Sequence, residues 1–243
     1  MTNRTSAALK ADARALLPGK YAFLALVTLI VAILNLLLNS ILNSVFTSGG
    51  GFSLILYLAC SLLTSILFTI LTAGQKWIFL KTARGEQARF SDLVFAFSNH
   101  PEALAPYAVI QFILQTILYN GGLWMLMNTL SGIAPEPQYL AAAILFAAVY
   151  VWVDLGLALV LLLYDDDPWK SGRELLAESW RLMRGRRVRL FLLNLSFIGL
   201  ILLCVLTAGV GLLYVDPYMA VSQALFYEDA RQEQNTFENS QEI

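Results

Sequence analysis

The chain has 243 residues, of which 58% are hydrophobic and only 14% charged, with a net charge of −1. A soluble domain carries about 45–50% apolar and about 25% charged residues. A wholly water-facing surface is therefore excluded, and a bilayer, where apolar side chains form the exterior, is implied.

The first segment places Leu9, Ala13, Leu16 and Leu17 at helical spacing and ends at Pro18-Gly19. It reads as a short interfacial helix. The apolar run that follows, 21–46, is longer than the roughly 7–15 residues of a signal h-region, and no small-residue cleavage site follows it. It is expected to be a retained span. Runs 53–80, 104–130 and 139–164 each exceed the roughly 20 residues that cross about 30 Å of hydrocarbon. The region from 188 to 228 suits two shorter spans, 188–206 and 210–228, joined by the turn residues Thr207-Ala208-Gly209-Val210-Gly211. The expected fold is all-α: a single transmembrane helical bundle of about six spans over 1–229, followed by a polar tail, 230–243, expected to be disordered.

The basic residues give an independent reading of topology. All 16 Lys and Arg fall before the first span, around the end of the second, between the fourth and fifth, or after the sixth. The connections near 47–51, 131–138 and 207–211 contain none. The positive-inside rule then places both termini and both long loops in the cytoplasm. Two of these loops look like interfacial helices. One has Phe90, Leu93, Val94 and Phe97 at helical spacing. In the other, Asp167 is the expected N-cap and Pro168 the first helical residue. Leu175, Leu176, Ser179, Leu182 and Met183 then share one face, and Trp169 and Trp180 suit the headgroup level. Lys170, Arg173, Arg181, Arg184, Arg186, Arg187 and Arg189 are candidate contacts for anionic lipid, each worth about 1 kcal/mol near a charged surface.

Two acids interrupt the spans. Asp154 lies near the middle of the fourth, and Asp216 precedes Pro217 in the sixth. A central Asp costs about 2.5–3.5 kcal/mol to insert, so each should face protein or water. They are read either as a protonatable or cation-binding site, or as neutral acids bonded to a neighbouring helix. No Lys or Arg is expected near the middle of a span to pair with them. Asn35, Asn39 and Asn43 form an amide stripe in the first span, and Gln111, Gln115 and Tyr119 another in the third. Each stripe is either helix-packing glue or the lining of a polar cavity. Ser61, Ser65, Thr69 and Ala73 read as a packing seam. The triplet Asp165-Asp166-Asp167 reads as a solvated helix end.

Catalytic patterns are absent. His100 is the single histidine, and Cys60 and Cys204 lie in separate apolar runs, so no zinc site is expected. Tyr164-Asp165 is half of an intramembrane aspartyl-protease pattern, but its Gly-x-Gly-Asp partner is missing. No phosphate-cradling loop occurs. The expectation is a non-enzymatic protein with no cofactor, partnered by membrane lipids or other membrane proteins and not by nucleic acid. The alternative is a transporter, an exporter or a subunit of one, with its site around Asp154, Asp216, Asn35, Asn39, Gln111 and Gln115.

A string of motifs fills the second half: Met183-Arg184-Gly185, Arg189-Leu190-Phe191, Leu195-Ser196-Phe197-Ile198-Gly199, Thr207-Ala208-Gly209-Val210-Gly211, Pro217-Tyr218 and Phe226-Tyr227-Glu228-Asp229. Upstream, Gly74, Arg84-Gly85-Glu86 and Phe90-Ser91-Asp92-Leu93 fit the same pattern. The chain resembles the bacterial integral-membrane family known as domain of unknown function 975. That resemblance implies an envelope protein without an assigned activity.

Overall fold

The computed structural model describes residues 4–46, 51–132, 137–207 and 209–241. Helix α1 (Ser6–Leu16) starts where the Thr5 hydroxyl accepts the Ala8 N–H at 3.3 Å. Two long helices follow, α2 (Tyr21–Val45) and α3 (Gly51–Ala83). A 3-10 turn (Phe90–Val94), the short α4 (Phe95–Ser98) and a second 3-10 turn (Pro101–Leu104) lead into α5 (Ala105–Ile113). A π-helical stretch, Leu114–Tyr119, joins α5 to α6 (Asn120–Leu130). The second half holds α7 (Pro137–Leu157), α8 (Val160–Asp166), α9 (Gly172–Leu182), α10 (Arg187–Leu195), α11 (Ile198–Leu206) and α12 (Leu212–Gln241). No strand occurs among the described residues.

Five stretches are long and apolar enough to cross a membrane: Tyr21–Val45, Gly51–Ala83, Pro101–Leu130, Pro137–Asp166 and Arg187–Cys204. They are the helices of a multi-pass membrane protein. Helix α12 differs from them for a physical reason. Its apolar part already contains Asp216, and it turns polar at Glu228 and Asp229. Val215, Tyr218, Val221, Ala224, Phe226 and Tyr227 are buried, because α12 packs against α1, α2 and α3. Protein, not lipid, solvates most of its length.

The core lies at one end of the bundle. The buried residues of α2 are Leu24, Val27, Thr28 and Val31, all in its first half. Those of α3 run from Thr69 to Thr82, all in its second half. Because the two helices form a hairpin, these stretches share the end that carries the basic residues. Leu155 to Tyr164, Leu175, Leu182, Leu190 and Phe197 join the same cluster. Toward the opposite end, large apolar side chains such as Leu36, Phe52, Ile55 and Leu206 are exposed, as lipid-facing residues should be.

Three local expectations are corrected. The helix after the acidic triplet begins at Gly172, not Pro168, because Ser171 and Glu174 form a reciprocal capping box. Asp167 instead ends α8, and its side chain accepts the Trp169 N–H at 3.3 Å. The segment after Asp229 is not an unstructured tail, since α12 continues to Gln241. Ala230 is fully buried, and Glu233 pairs with Arg186 at 2.9 Å and Arg189 at 3.3 Å. Those partners come from a distant loop and are invisible in local composition.

The turn at Phe90–Val94 folds back onto α3 at Gly74. A Cβ at Gly74 would lie 1.9 Å from the Leu93 carbonyl oxygen. Trp77 stacks on Phe95 at 5.1 Å, and Lys81 pairs with Asp92 at 3.0 Å, fastening the same junction. Gly74→Ala should therefore destabilise the detergent-solubilised protein by about 1–3 kcal/mol, the usual cost of overpacking. Gly199→Ala, where an added Cβ meets nothing within 4 Å, serves as the control. Equal thermal midpoints for the two variants would disprove the close contact.

Candidate functional site

Between the splayed halves of α2 and α3 and the α5–α6 helix lies a cavity of about 530 Å³. Asn35 and Asn39 line it from α2, Tyr57, Ser61, Thr64, Ser65, Thr69 and Thr72 from α3, and Tyr107, Gln111, Gln115, Thr116 and Asn120 from the third span. Leu161 of α8 and Thr69 are buried, whereas Asn35 and Asn39 are exposed. The cavity is thus closed toward the packed end and open toward the other.

Four of the sequence-derived site residues, Asn35, Asn39, Gln111 and Gln115, meet at this cavity. The Asn stripe satisfies itself along its own helix. The Asn39 amide donates to the Asn35 side-chain oxygen at 2.9 Å, and Asn43 donates to the Asn39 carbonyl at 2.9 Å. One bond crosses to α3, from the Tyr57 hydroxyl to Asn43 at 3.4 Å. The packing seam is only partly a seam. Ala73 is fully buried and Ser65 donates to the Ala108 carbonyl at 3.5 Å, but Ser61, Ser65 and Thr69 also face the cavity.

The π-helical stretch sets the opposite wall. Sequence periodicity continues Gln111 and Gln115 to Tyr119. The wider turn of a π-helix instead brings Asn120, five residues after Gln115, onto the cavity. Tyr119 turns away and meets Tyr150 at 5.7 Å between centroids. Tyr107, one turn before Gln111, extends the wall in the other direction and continues the same i, i+4 pattern.

Behind the wall, Gln111 donates to the Tyr107 hydroxyl at 3.1 Å and to Asp154 Oδ1 at 3.3 Å. Asp154 therefore reaches the cavity through Gln111. Asp216 lies elsewhere, beside Thr28, whose hydroxyl accepts the Gln75 amide at 3.3 Å. The two acids do not touch. Among the described residues no ion pair joins either acid to a cation; the Lys76 ammonium acts on Asp216, Asp165 and Asp154 only through its field. Helix α3 runs on to Ala83, which leaves Lys76 inside the bundle, where its Nζ donates to Gln223 at 3.2 Å. Gln223 in turn donates to Asn194 at 3.0 Å. The spacing Thr69, Thr72, Lys76 carries the polar face of α3 onto this residue.

The acidic triplet is not a solvated end. Asp165 is 2% exposed, and neither of its carboxylate oxygens has a hydrogen-bond partner. Asp166 pairs with Arg84 at 2.5 Å and also meets Arg231 and the Tyr227 hydroxyl. Tyr164 is fully buried, its hydroxyl donating to the Ala96 carbonyl at 3.2 Å. No group of His, Cys, Asp and Glu side chains among the described residues could hold a metal ion.

The seven basic residues between the fourth and fifth spans divide into three groups. Lys170 pairs with Glu178 at 2.7 Å, Arg186 with Glu233, and Arg189 with Asp229 and Glu233. Arg187 is buried between Trp152 and Trp180. Arg173, Arg181 and Arg184 are exposed.

Residues 137–234 match a family model described as "Protein of unknown function (DUF975)". This bears out the family resemblance, over the region richest in its motifs. The upstream motifs at Gly74, Arg84 and Phe90 lie outside the match. Neither a curated protein nor a solved structure matches the chain.

Removing one partner of a buried charge pair typically costs about 3–5 kcal/mol, because the other charge is left uncompensated. Asp166→Asn should therefore lower stability strongly, while Asp166→Asn with Arg84→Gln should recover part of the loss. Thermal unfolding of the single and double variants measures the coupling. Strict additivity would show that Arg84 does not balance Asp166.

Proposed function

We propose that this chain is a six-span bacterial inner-membrane protein, not an enzyme, whose cavity holds an uncharged, hydroxyl- or amide-rich group within the bilayer during transport or export. Both termini are cytoplasmic in this reading, and α12 supplies the sixth span. The observation that carries it is the convergence of Asn35, Asn39, Gln111 and Gln115 on one cavity of about 530 Å³. That volume falls within the roughly 300–1,000 Å³ of small-molecule sites. Helix docking alone would pair these amides with one another across the bundle. Instead, the side-chain amides of Gln115 and Asn120 make no hydrogen bond among the described residues and offer both donors and acceptors to a ligand.

The lining contains no formal charge, which argues against a free ion as the ligand. Asp154, one bond behind Gln111, lets the protonation state of the charge cluster alter the orientation of a cavity amide. Because an amide can bond either way round, its flip would exchange donor for acceptor at the cavity surface. The exposed Arg173, Arg181 and Arg184 support the accompanying reading of a basic surface that associates with anionic lipid.

A deletion strain profiled for lipids and exported solutes tests the function. Loss of the protein should shift the profile, and the wild-type gene should restore it. Asn39→Leu with Gln111→Leu should insert to normal levels yet restore less than about a tenth of the wild-type effect, the scale set by losing two hydrogen bonds at about 1 kcal/mol each. Full complementation by this double variant would exclude the cavity from function.

Topology has its own test. With Cys60 and Cys204 replaced by serine, Asn39→Cys should react from the periplasmic side with a membrane-impermeant thiol reagent. Arg173→Cys should react only once the cytoplasmic face is exposed. Labelling of both from the same side would refute the proposed orientation.

A further inference from the structure

Arg187 is a cation without a counter-ion. It is 9% exposed, and its Nε is buried without a hydrogen-bond partner. No carboxylate among the described residues pairs with it or with Arg184, the nearby arginine whose charge acts on it. Two indoles cover the faces of its guanidinium, Trp180 at 3.9 Å and Trp152 at 4.3 Å from the ring centroids. Stacking consumes the faces of the group and leaves its in-plane N–H edge, the geometry that binds a phosphate through two parallel bonds.

The surroundings are built to hold this stack. A Cβ at Gly156 would lie 2.4 Å from the Trp180 ring and 3.0 Å from Arg187 Nη2, so only glycine leaves room. Ser179 donates to the Gly156 carbonyl at 2.9 Å and fixes α9, with Trp180, against α7. Arg187 is the first residue of α10, where backbone N–H groups lack intrahelical acceptors and the helix dipole favours an anion.

We infer that Arg187, framed by Trp152 and Trp180 and assisted by Arg184, binds the phosphate of an anionic phospholipid. A lipid is favoured over a free phosphate by what surrounds the site. Trp152 is 57% exposed on an apolar span, so the site opens sideways, toward hydrocarbon. An apolar groove of about 380 Å³ between α6 and α7 ends at Tyr150 and Val151, next to Trp152 in the chain, and runs back along Ala147, Ile144 and Ala143. An acyl chain fits there while its headgroup meets the arginine. This inference rests on the membrane reading above but not on the cavity.

Native mass spectrometry of the full-length protein tests it, with phosphatidylglycerol or phosphatidylcholine added to the detergent micelles. The wild type should retain one phosphatidylglycerol in preference to phosphatidylcholine. Retention should fall about tenfold in Arg187→Lys, which keeps the charge but loses the planar donor edge, the scale of one charge-assisted hydrogen bond. Arg184→Gln, on an exposed turn, should also reduce it, which keeps the test decisive if Arg187→Lys fails to fold. Arg89→Gln, an exposed residue of the loop after α3, should retain the lipid as the wild type does. The cavity double variant, Asn39→Leu with Gln111→Leu, should retain it too. Equal retention of the two lipids, or undiminished retention in Arg184→Gln, would overturn the assignment. So would loss of the lipid in the cavity variant, which would place it elsewhere. Displacement of the lipid by millimolar inorganic phosphate would identify the ligand as a soluble anion and not a lipid.

Discussion

Asp166 accepts from Arg84, Arg231 and the Tyr227 hydroxyl at the base of the bundle, and the rest of the packing depends on that meeting. The three partners come from the end of α3 and from α12, while Asp166 closes α8. Arg84 also pairs with Glu228 at 2.6 Å, and Arg189 ties Asp229 to α10. Each charge would be costly to leave unpaired where water is scarce. Together they hold the polar half of α12 in register, and so hold its apolar half among α1, α2 and α3. Helix α1 is fastened onto α12 in the same way, since the Tyr218 hydroxyl donates to the Lys10 carbonyl at 3.1 Å and Lys10 donates to the Ser196 carbonyl at 3.0 Å.

Anchoring at one end explains the shape of the other. In a bilayer, apolar surface gains little by leaving lipid for protein, so helices separate unless small residues, hydrogen bonds or ion pairs hold them. These devices are concentrated at the basic end: Gly74 beneath Leu93, Gly156 beneath Trp180, and the ion pairs around Asp166. Toward the far end, α2 and α3 are linked through Tyr57 and Asn43 and by an edge contact between Phe46 and Tyr57. The polar faces of α2, α3 and α5–α6 consequently enclose space instead of closing on one another.

Lys76 and the three acids around it lie at the boundary between these regimes. The Lys76 ammonium bonds to Gln223 and forms no ion pair with them, and Asp165 keeps two buried oxygens without donors. A buried carboxylate in that state responds to any movement of its neighbours, because its free energy depends on whether a donor or a cation approaches. Asp154 belongs to the same cluster and is bonded to Gln111. The Gln111–Asp154 bond is therefore the contact through which the field of this cluster reaches a cavity amide.

Much of this was legible in the sequence, because it follows from composition and period. Apolar length identified the long helices, and the boundaries of α2 at Tyr21 and Val45 fall close to the expected 21–46. The i, i+4 recurrence of Asn35 and Asn39, and of Gln111 and Gln115, put each pair on one helix face. What a single helix face cannot specify is what it confronts. Only tertiary packing determined that those faces enclose a cavity, and only the π-helical turn brought Asn120 to it in place of Tyr119. The charges were misread for the same reason. Lys76, Asp166 and Glu233 look like solvated flanks in linear order, and their partners lie far away in the chain. Arg187 was one basic residue among seven until Trp152, Trp180 and Gly156 converged on it. Sequence determines where a charge can stand along a helix, but whether it is solvated, paired or left open to a ligand depends on which distant side chain fills the space beside it.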